Sequence, residues 1–527
     1  MADPNPEIDV PEVPLTAFVL AEAEKRSGRA ALVDAGSGRT VSYGELASAV
    51  GRAAEGLHAR GVRKGDVFAI WCPNSPEFVT AYYAALSIGA VVTPVNPVAT
   101  AGDLAKQLAI TSARWLLTTP ELFAKAGGAD SPSTGGLREV FVVGEAAGAT
   151  PFVSLLGESG AAPCVDVGPD DVALLPFSSG TTGLPKAVVL THRNLVTSLC
   201  QTAAIHRVGG NDVLIAAVPL FHIYGMQVVM NLGLRAGATV VLMARFDLDG
   251  FLLAVQDHRV TRADVVPPVV VALAKHAAVD AYALSSLRVI TSAAAPLGAD
   301  VARRCSQRLA CRVKQAYGMT ELGGGTHFAP DEGEERLGSV GPALPGVECR
   351  VVDCSTGEPA APGEPGELLV RCAGTMRGYL GRPAETAAAI NDDGWLRTGD
   401  VVIVDGDGWL QVVDRVKELV KYNGYQVPPA ELEAVLLSHP AVADAAVVAS
   451  PDEHAGEVPK AFVVPRSAVS EDELLAHVAE RVAPYKKVRR LEFVDHIPKS
   501  ASGKILRRLL VERERAMAAS GLVAAGR

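Results

Sequence analysis

The segment Phe177-Ser-Ser-Gly-Thr-Thr-Gly-Leu-Pro-Lys186 gathers four hydroxyl side chains, two glycines and a lysine into ten residues. Gly180 and Gly183 let the backbone come close to an anion. Ser178, Ser179, Thr181 and Thr182 offer hydroxyl donors, and Lys186 offers charge. Apolar residues 172–176 precede the segment and 187–190 follow it, so it reads as a loop between two strands, suited to phosphate. The Gly-Lys-Ser/Thr ending of a Walker A loop is absent, so this is a phosphate loop of another kind. Further along, Thr320 can donate to a phosphoryl oxygen and Glu321 can hold Mg²⁺. Asp400 follows Gly399, and the expected turn would let its carboxylate accept both hydroxyls of a ribose. Asp414-Arg415 reads as a charged strand end. Lys504 follows Gly503 and precedes Ile505-Leu-Arg-Arg. A lysine on a glycine-hinged loop can reach into a cleft and neutralise charge developing there.

Those residues need a scaffold. From Phe18 to about Arg415, short Val/Ile/Leu-rich stretches alternate with Ala-rich ones. Residues 67–71, 90–94, 239–243 and 263–266 are expected as strands; 77–88 and 248–258 are expected as helices. Strand–helix–strand at this spacing predicts mostly parallel sheets with helices on both faces, an α/β fold. The Gly-, Pro- and acid-rich stretch 346–367 predicts a β-rich subdomain with turns, and 404–408 a tight turn. The last ~110 residues have the size of a separate domain. It is expected to be α+β, with a helix over 430–437, strands at 445–449, 461–464 and 491–494, and a second helix from a Ser470/Glu473 capping box to about Ala483.

The 527 residues call for two or three domains. A net charge of −10 offers no broad basic field and argues against a nucleic-acid partner. No C-x-x-C pair occurs among the eight cysteines, so neither a zinc site nor a disulfide framework is expected, and reduced thiols fit a cytoplasmic protein. The acidic, Pro-broken N-terminus does not read as a signal peptide, and no run reaches the ~18 apolar residues of a membrane span.

The phosphate loop resembles the signature of the adenylate-forming superfamily: acyl-CoA synthetases, luciferases and the adenylation domains of peptide synthetases. Tyr317-Gly-Met-Thr-Glu321 resembles its adenine and α-phosphate motif, Trp395-Leu-Arg-Thr-Gly-Asp400 with Asp414-Arg415 its ribose-binding pair, and Pro498-Lys-Ser-Ala-Ser-Gly-Lys504 its catalytic-lysine loop. The resemblance runs over nearly the whole chain. It implies a large domain over 1–416, a small mobile domain over 417–527 and a hinge at Lys417. It implies ATP, Mg²⁺ and coenzyme A, with a small carboxylic acid converted first to acyl-AMP and then to acyl-CoA. ATP or AMP would meet Ser178, Ser179, Gly180, Thr181, Thr182, Gly183, Lys186, Ala316, Tyr317, Gly318, Thr320, Asp400 and Arg415, with Glu321 on the metal. Lys504, His222, Lys421 and Gln426 would be catalytic. The loop Lys421-Tyr-Asn-Gly-Tyr-Gln426 would enter the site after domain rotation, with Asn423 and Gly424 meeting coenzyme A. Many relatives carry Lys at the Asn423 position.

Within the superfamily the chain is most similar to the 4-coumarate:CoA ligases, through Pro219-Leu-Phe-His-Ile-Tyr-Gly225, Leu284-Ser-Ser-Leu-Arg288, Ser292-Ala-Ala-Ala-Pro-Leu-Gly298 and Lys417-Glu-Leu-Val-Lys-Tyr422. That likeness implies an acyl pocket of His222, Ile223, Tyr224, Val228, Thr291, Ala293, Ala294, Gly318, Gly324 and Gly325. Ala293 stands where plant enzymes usually have Gly and should narrow one wall. Gly323-Gly-Gly-Thr326 replaces bulkier residues and should widen another. The reshaped pocket is expected to offer little to hydrogen-bond a ring hydroxyl. Hydroxycinnamate-like and other aryl acids lead. A fatty acyl-CoA synthetase and a stand-alone adenylation enzyme loading a carrier protein remain alternatives.

Overall fold

A computed structural model describes residues 8–129, 131–157, 163–178, 185–423, 425–452, 454–500 and 503–519. Val-Phe-Ala-Ile-Trp forms the strand Val67–Trp71, buried along its length. It pairs in parallel with Val91–Pro94 on one side and Trp115–Thr118 on the other. The crossover helix Pro76–Ser87 starts where the Ser75 side chain accepts the Phe78 N–H and Pro76 occupies the first turn. Such units build a nine-stranded sheet; a second, eight-stranded sheet contains Val213–Ala216, Thr239–Leu242, Arg262–Val265, Val289–Ser292 and Arg312–Met319. These five are mutually parallel, and Gly324–Phe328 returns antiparallel to Arg312–Met319. Both sheets carry helices on their faces, as expected for α/β.

Residues 348–415 fold into a four-stranded antiparallel sheet of Glu348–Val352, Gly366–Arg371, Leu396–Val404 and Leu410–Arg415. The last domain pairs Val442–Asp452 with Gly456–Pro465 as a long hairpin, packs the helix Pro429–Ser438 on it and adds Arg490–Phe493 in parallel. No described helix is long and apolar enough to cross a membrane.

Three expectations need correction. The helix after Ser470 ends at Ala479, before the extended Ala483 that Pro484 imposes. Its capping box is half made: Ser470 accepts the Glu473 N–H without a reciprocal bond. Asp400 lies inside the nine-residue strand Leu396–Val404 rather than in a turn, because it pairs with Arg415 across the ladder. A feature absent from the sequence reading is the π-helical turn Gly225–Asn231 that follows His222-Ile-Tyr. Gly225 permits it, since a Cβ there would meet the Pro219 carbonyl oxygen at 2.4 Å.

Candidate active site

Ladder geometry assembles the first part of the site. Asp400 and Arg415 are register partners, and Arg415 Nε stands 3.1 Å from Asp400 Oδ1. Tyr317, near the end of Arg312–Met319, donates its hydroxyl to Asp400 Oδ2 at 2.7 Å. The carboxylate is thus fixed between a phenol and a guanidinium. Burial pushes the Asp400 carboxyl above its ordinary range, against the pull of Arg415 and the Tyr317 hydroxyl.

The second part is built on Tyr379. Its strand Gly378–Tyr379 pairs with Lys186–Thr191, so its ring reaches the foot of the phosphate loop. Lys186 Nζ lies 4.7 Å from the Tyr379 ring centroid, and the Tyr379 hydroxyl donates to Glu321 Oε1 at 3.0 Å. Thr320 and Glu321 begin a single 3₁₀ turn, both buried. Ser178 pairs with Lys186 across the neighbouring ladder. Ser179, Gly180, Thr181, Thr182 and Gly183 lie outside the described residues, as does Gly424.

The third part arrives from the last domain. Gly503 has φ +77, and a Cβ on it would meet Val266 Cγ2 at 2.9 Å, so its backbone sits tight against the eight-stranded sheet. Lys504 follows, with its N–H given to Ser500 Oγ at 3.1 Å. Burial lowers the Lys504 pKa and Arg415 lowers it further, while Asp400, Glu321 and Glu418 oppose. The same ammonium is felt by His222, whose imidazole is lowered to about 3, by burial first and Lys504 second. His222 is therefore neutral at any ordinary pH. Its Nδ1 accepts the Tyr224 N–H at 3.3 Å, which leaves the proton on Nε2 as a donor. Lys504, His222, Asp400, Arg415 and Glu321 thus form one electrostatic cluster drawn from both ends of the chain.

Ile223, Val228, Thr291 and Ala293 are buried beside this cluster's sheet. Ala294 is a non-glycine residue at φ +73. Two of the glycines expected at the acyl pocket are tightly packed. A Cβ on Gly325 would strike the Phe328 ring at 2.2 Å, and one on Gly318 the Gly324 carbonyl oxygen at 2.2 Å. Gly318 is thus required by the close pairing of its strand with Gly324–Phe328, and Gly325 by the Phe328 ring. Ala316 is buried on the same strand. Lys421, Asn423 and Gln426 are exposed on the hairpin Val420–Tyr422/Tyr425–Val427, and no described hydrogen bond joins them to Lys504. Lys417 is exposed in the turn between Leu410–Arg415 and Val420–Tyr422, where Glu418 and Leu419 both donate N–H to the Arg415 carbonyl.

Among the described residues no group of three or more His, Cys, Asp or Glu could hold a metal by itself. A single buried carboxylate beside Lys186 fits Mg²⁺ that arrives with phosphate oxygens and its own waters. Tyr379 was missed from sequence; the strand it shares with the foot of the phosphate loop is a tertiary pairing, and a single aromatic letter after Arg377-Gly gave no signal.

Known proteins are similar to this chain in sequence and fold. The AMP-binding enzyme family matches residues 19–380, and the AMP-binding enzyme C-terminal domain matches 431–504. A 4-coumarate-CoA ligase of Narcissus pseudonarcissus is 40% identical, over 96% of this chain and 95% of that protein. A 4-coumarate–CoA ligase-like protein of Oryza sativa subsp. japonica is 44% identical, over 96% and 94%. Among solved structures, an anthranilate CoA ligase in complex with anthranoyl-AMP matches with TM-score 0.91 and 25% identity, over 96% of this chain and 98% of that one. ATP-bound MatB from Rhodopseudomonas palustris matches with TM-score 0.86 and 29% identity, over 95% and 99%. With family matches across both parts of the chain and relatives aligned nearly end to end, the protein belongs to the AMP-binding enzyme family.

Proposed function

We propose that the protein is an ATP-dependent acid:CoA ligase that forms an acyl-adenylate and then an acyl-CoA, acting on aryl acids of the hydroxycinnamate type. The observation that carries the reading is the seating of Lys504 from the last domain within electrostatic reach of Asp400, Arg415, Glu321 and His222. A cation held there can neutralise the carboxylate and α-phosphate as they approach each other. Asp400, steadied by Tyr317 and Arg415, accepts the ribose hydroxyls. The phosphate loop, Lys186 and Thr320 hold phosphate oxygens. Glu321 would hold Mg²⁺, which when bound offsets phosphate charge. The neutral His222 donates from Nε2 to an acyl oxygen. The names of the curated relatives support an aryl acid, and the anthranoyl-AMP complex supports a ring in the pocket.

The second half-reaction needs Lys504 to leave. We place the hinge at Lys417, between domains 1–416 and 417–527. Rotation there would bring Lys421, Asn423, Gly424 and Gln426 towards the acyl-adenylate and coenzyme A. Eight free cysteines support a reducing compartment, the cytoplasm. The test is pyrophosphate release across a panel of aryl and alkyl acids, with and without CoA. Release with thioester formation supports the reading. Adenylate that accumulates despite CoA would point to a carrier protein as acceptor, and a preference for alkanoates would replace the aryl class.

A further inference from the structure

The strand Arg262–Val265 carries a carboxylate that the chemistry above does not use. Asp264 is 1% exposed, and neither of its oxygens accepts a hydrogen bond from a described residue. His206 Nε2 stands 3.4 Å from Oδ1 and is also without a hydrogen bond. The neighbouring cations make their described hydrogen bonds elsewhere, and Arg262 Nε, also buried, has no partner. Arg262 donates to Asp331 at 2.7 Å and contacts His206 Nδ1 at 3.1 Å. Lys314 donates to Asp331 and to the Ala329 carbonyl. Burial without a donor is costly for any polar group and most of all for a carboxylate. An apolar residue would suit this interior better, so the carboxylate needs a reason to be there.

Strand alternation fixes where Asp264 points. Ala263 and Val265 pack with Ile290 and Val313 on one face of the sheet, so Asp264 faces the other. Register puts Thr291 beside Asp264 and Lys314 beside Thr291, in one row across that face. Tyr224 covers the row, its hydroxyl donating to the Thr291 carbonyl at 3.0 Å. Tyr224 and Thr291 are the residues assigned to the acyl pocket above. The reacting end is marked by Gly503, packed on Val266 just past the strand. Asp264 lies two residues deeper, about 7 Å along the strand. That is the order of span of one substituted aryl ring.

We propose that Asp264 is the floor of the acyl site and accepts a hydrogen bond from a donor substituent, a phenolic hydroxyl or an amine, at the end of the acid remote from its carboxylate. The proposal rests on the ligase reading and narrows its substrate class. It also reverses the expectation that little in the pocket could hydrogen-bond a ring hydroxyl: Thr291 is short, and the carboxylate stands beside it.

The experiment compares cinnamate with its 4-hydroxy, 4-amino and 4-methyl derivatives by pyrophosphate release. The methyl compound matches the hydroxyl in size and lacks the donor. In the parent enzyme kcat/KM for the hydroxy and amino acids should exceed that for the methyl acid by roughly tenfold to a hundredfold. Asp264→Leu should abolish that gap and leave the methyl acid unchanged or improved. Asp264→Asn, which keeps an acceptor oxygen, should keep part of it. Absence of a gap in the parent overturns the proposal, as does a gap that persists in Asp264→Leu. An equal loss with all four acids would make Asp264 part of a purely structural polar cluster. Should Asp264→Leu fail to fold, the parent gap and the Asn variant decide. No release with any acid would sink the ligase reading instead. If alkanoates lead, octanoate against 8-hydroxyoctanoate judges Asp264 independently of the aryl class.

Discussion

Replacing Tyr379 by Phe isolates one hydrogen bond in the nucleotide site. The ring stays, so the contact with Lys186 at 4.7 Å survives; only the donor to Glu321 Oε1 at 3.0 Å is lost. Burial, followed by the charge of Glu321, pushes the phenol well above its ordinary range, so the hydroxyl is a donor throughout the assay range. Glu321 is 5% exposed and feels the cations of both Lys504 and Arg415. Without Tyr379 it is free to turn towards them, which quenches Lys504 and misaligns the carboxylate for Mg²⁺. A hydrogen bond to a charged group contributes roughly 1.5–3 kcal/mol. At about 1.4 kcal/mol per factor of ten, adenylation kcat/KM should fall roughly 10- to 150-fold. The fall should shrink as Mg²⁺ is raised. Thioester formation from supplied acyl-AMP should hold near the parent rate. Pyrophosphate release titrated with Mg²⁺ at limiting ATP gives the answer. Identical Mg²⁺ curves for parent and variant would refute the idea that Tyr379 orients Glu321.

Other outcomes follow from the same geometry. Lys504→Ala should cost adenylate formation about 3 kcal/mol, over a hundredfold, while sparing thioester formation from acyl-AMP; equal losses in both halves would remove its step-specific role. Lys417→Pro should leave adenylation near the parent rate and block transfer to CoA, because proline fixes the φ that a hinge must change; a parent-like thioester rate would move the hinge elsewhere. Ala294→Gly relieves a left-handed alanine, a gain of ~1–2 kcal/mol against ~0.5–1 kcal/mol of added chain entropy, so thermal unfolding should show a neutral to slightly stabilised protein, and a clear loss would contradict the argument. Asp414 is pushed up to about 7, by burial first, from 3.8. An acid raised in the folded state makes stability fall as pH climbs from about 4 to about 7 and level off above, so Asp414→Asn should flatten the thermal-unfolding profile over that window.

What could be read from sequence was what has a period or a fixed order. The strand at 67–71 and the helix after Ser75 follow from β-branched runs and a cap-plus-proline start, and both lie within a residue or two of expectation. Lys504, Asp400 and Arg415 were legible as motif residues, but their meeting was not. Asp400 faces Arg415 through a ladder register that no local pattern encodes, and that register also overrode the turn suggested by Gly399. Asp264 was invisible for the same reason. In the strand Arg262–Val265 the acidic letter has no stated direction until the parallel partners on either side fix its face. At Gly318 and Gly325 the sequence shows a missing side chain without showing which neighbour would have met it.

The seat of Lys504 is held mostly by groups other than Lys504. The helix Pro429–Ser438 is gripped at both ends by the rest of the chain. Asp414 Oδ2 accepts the Ala430 N–H at 2.8 Å at its start, and Lys275 Nζ donates to the Leu437 carbonyl at 2.6 Å at its end. The Asp414 carboxyl caps a first-turn N–H, and the Lys275 cation complements the helix dipole at the other end. Arg466 adds a bond to the Lys275 carbonyl, and Gly503 is wedged against Val266. Lys504 itself is disfavoured by burial and by Arg415. On the proposed mechanism the fold places an uncomfortable cation where negative charge would develop and spreads the cost over distant contacts. An anionic carboxylate and phosphate entering the site find their counter-charge already oriented, with little reorganisation left for the reacting moment. Once the acyl-adenylate has formed and pyrophosphate departs, the carboxylate charge is gone and the α-phosphate alone remains to favour the cation. The clamp at Lys275 and Asp414 is then what opposes withdrawal of the domain.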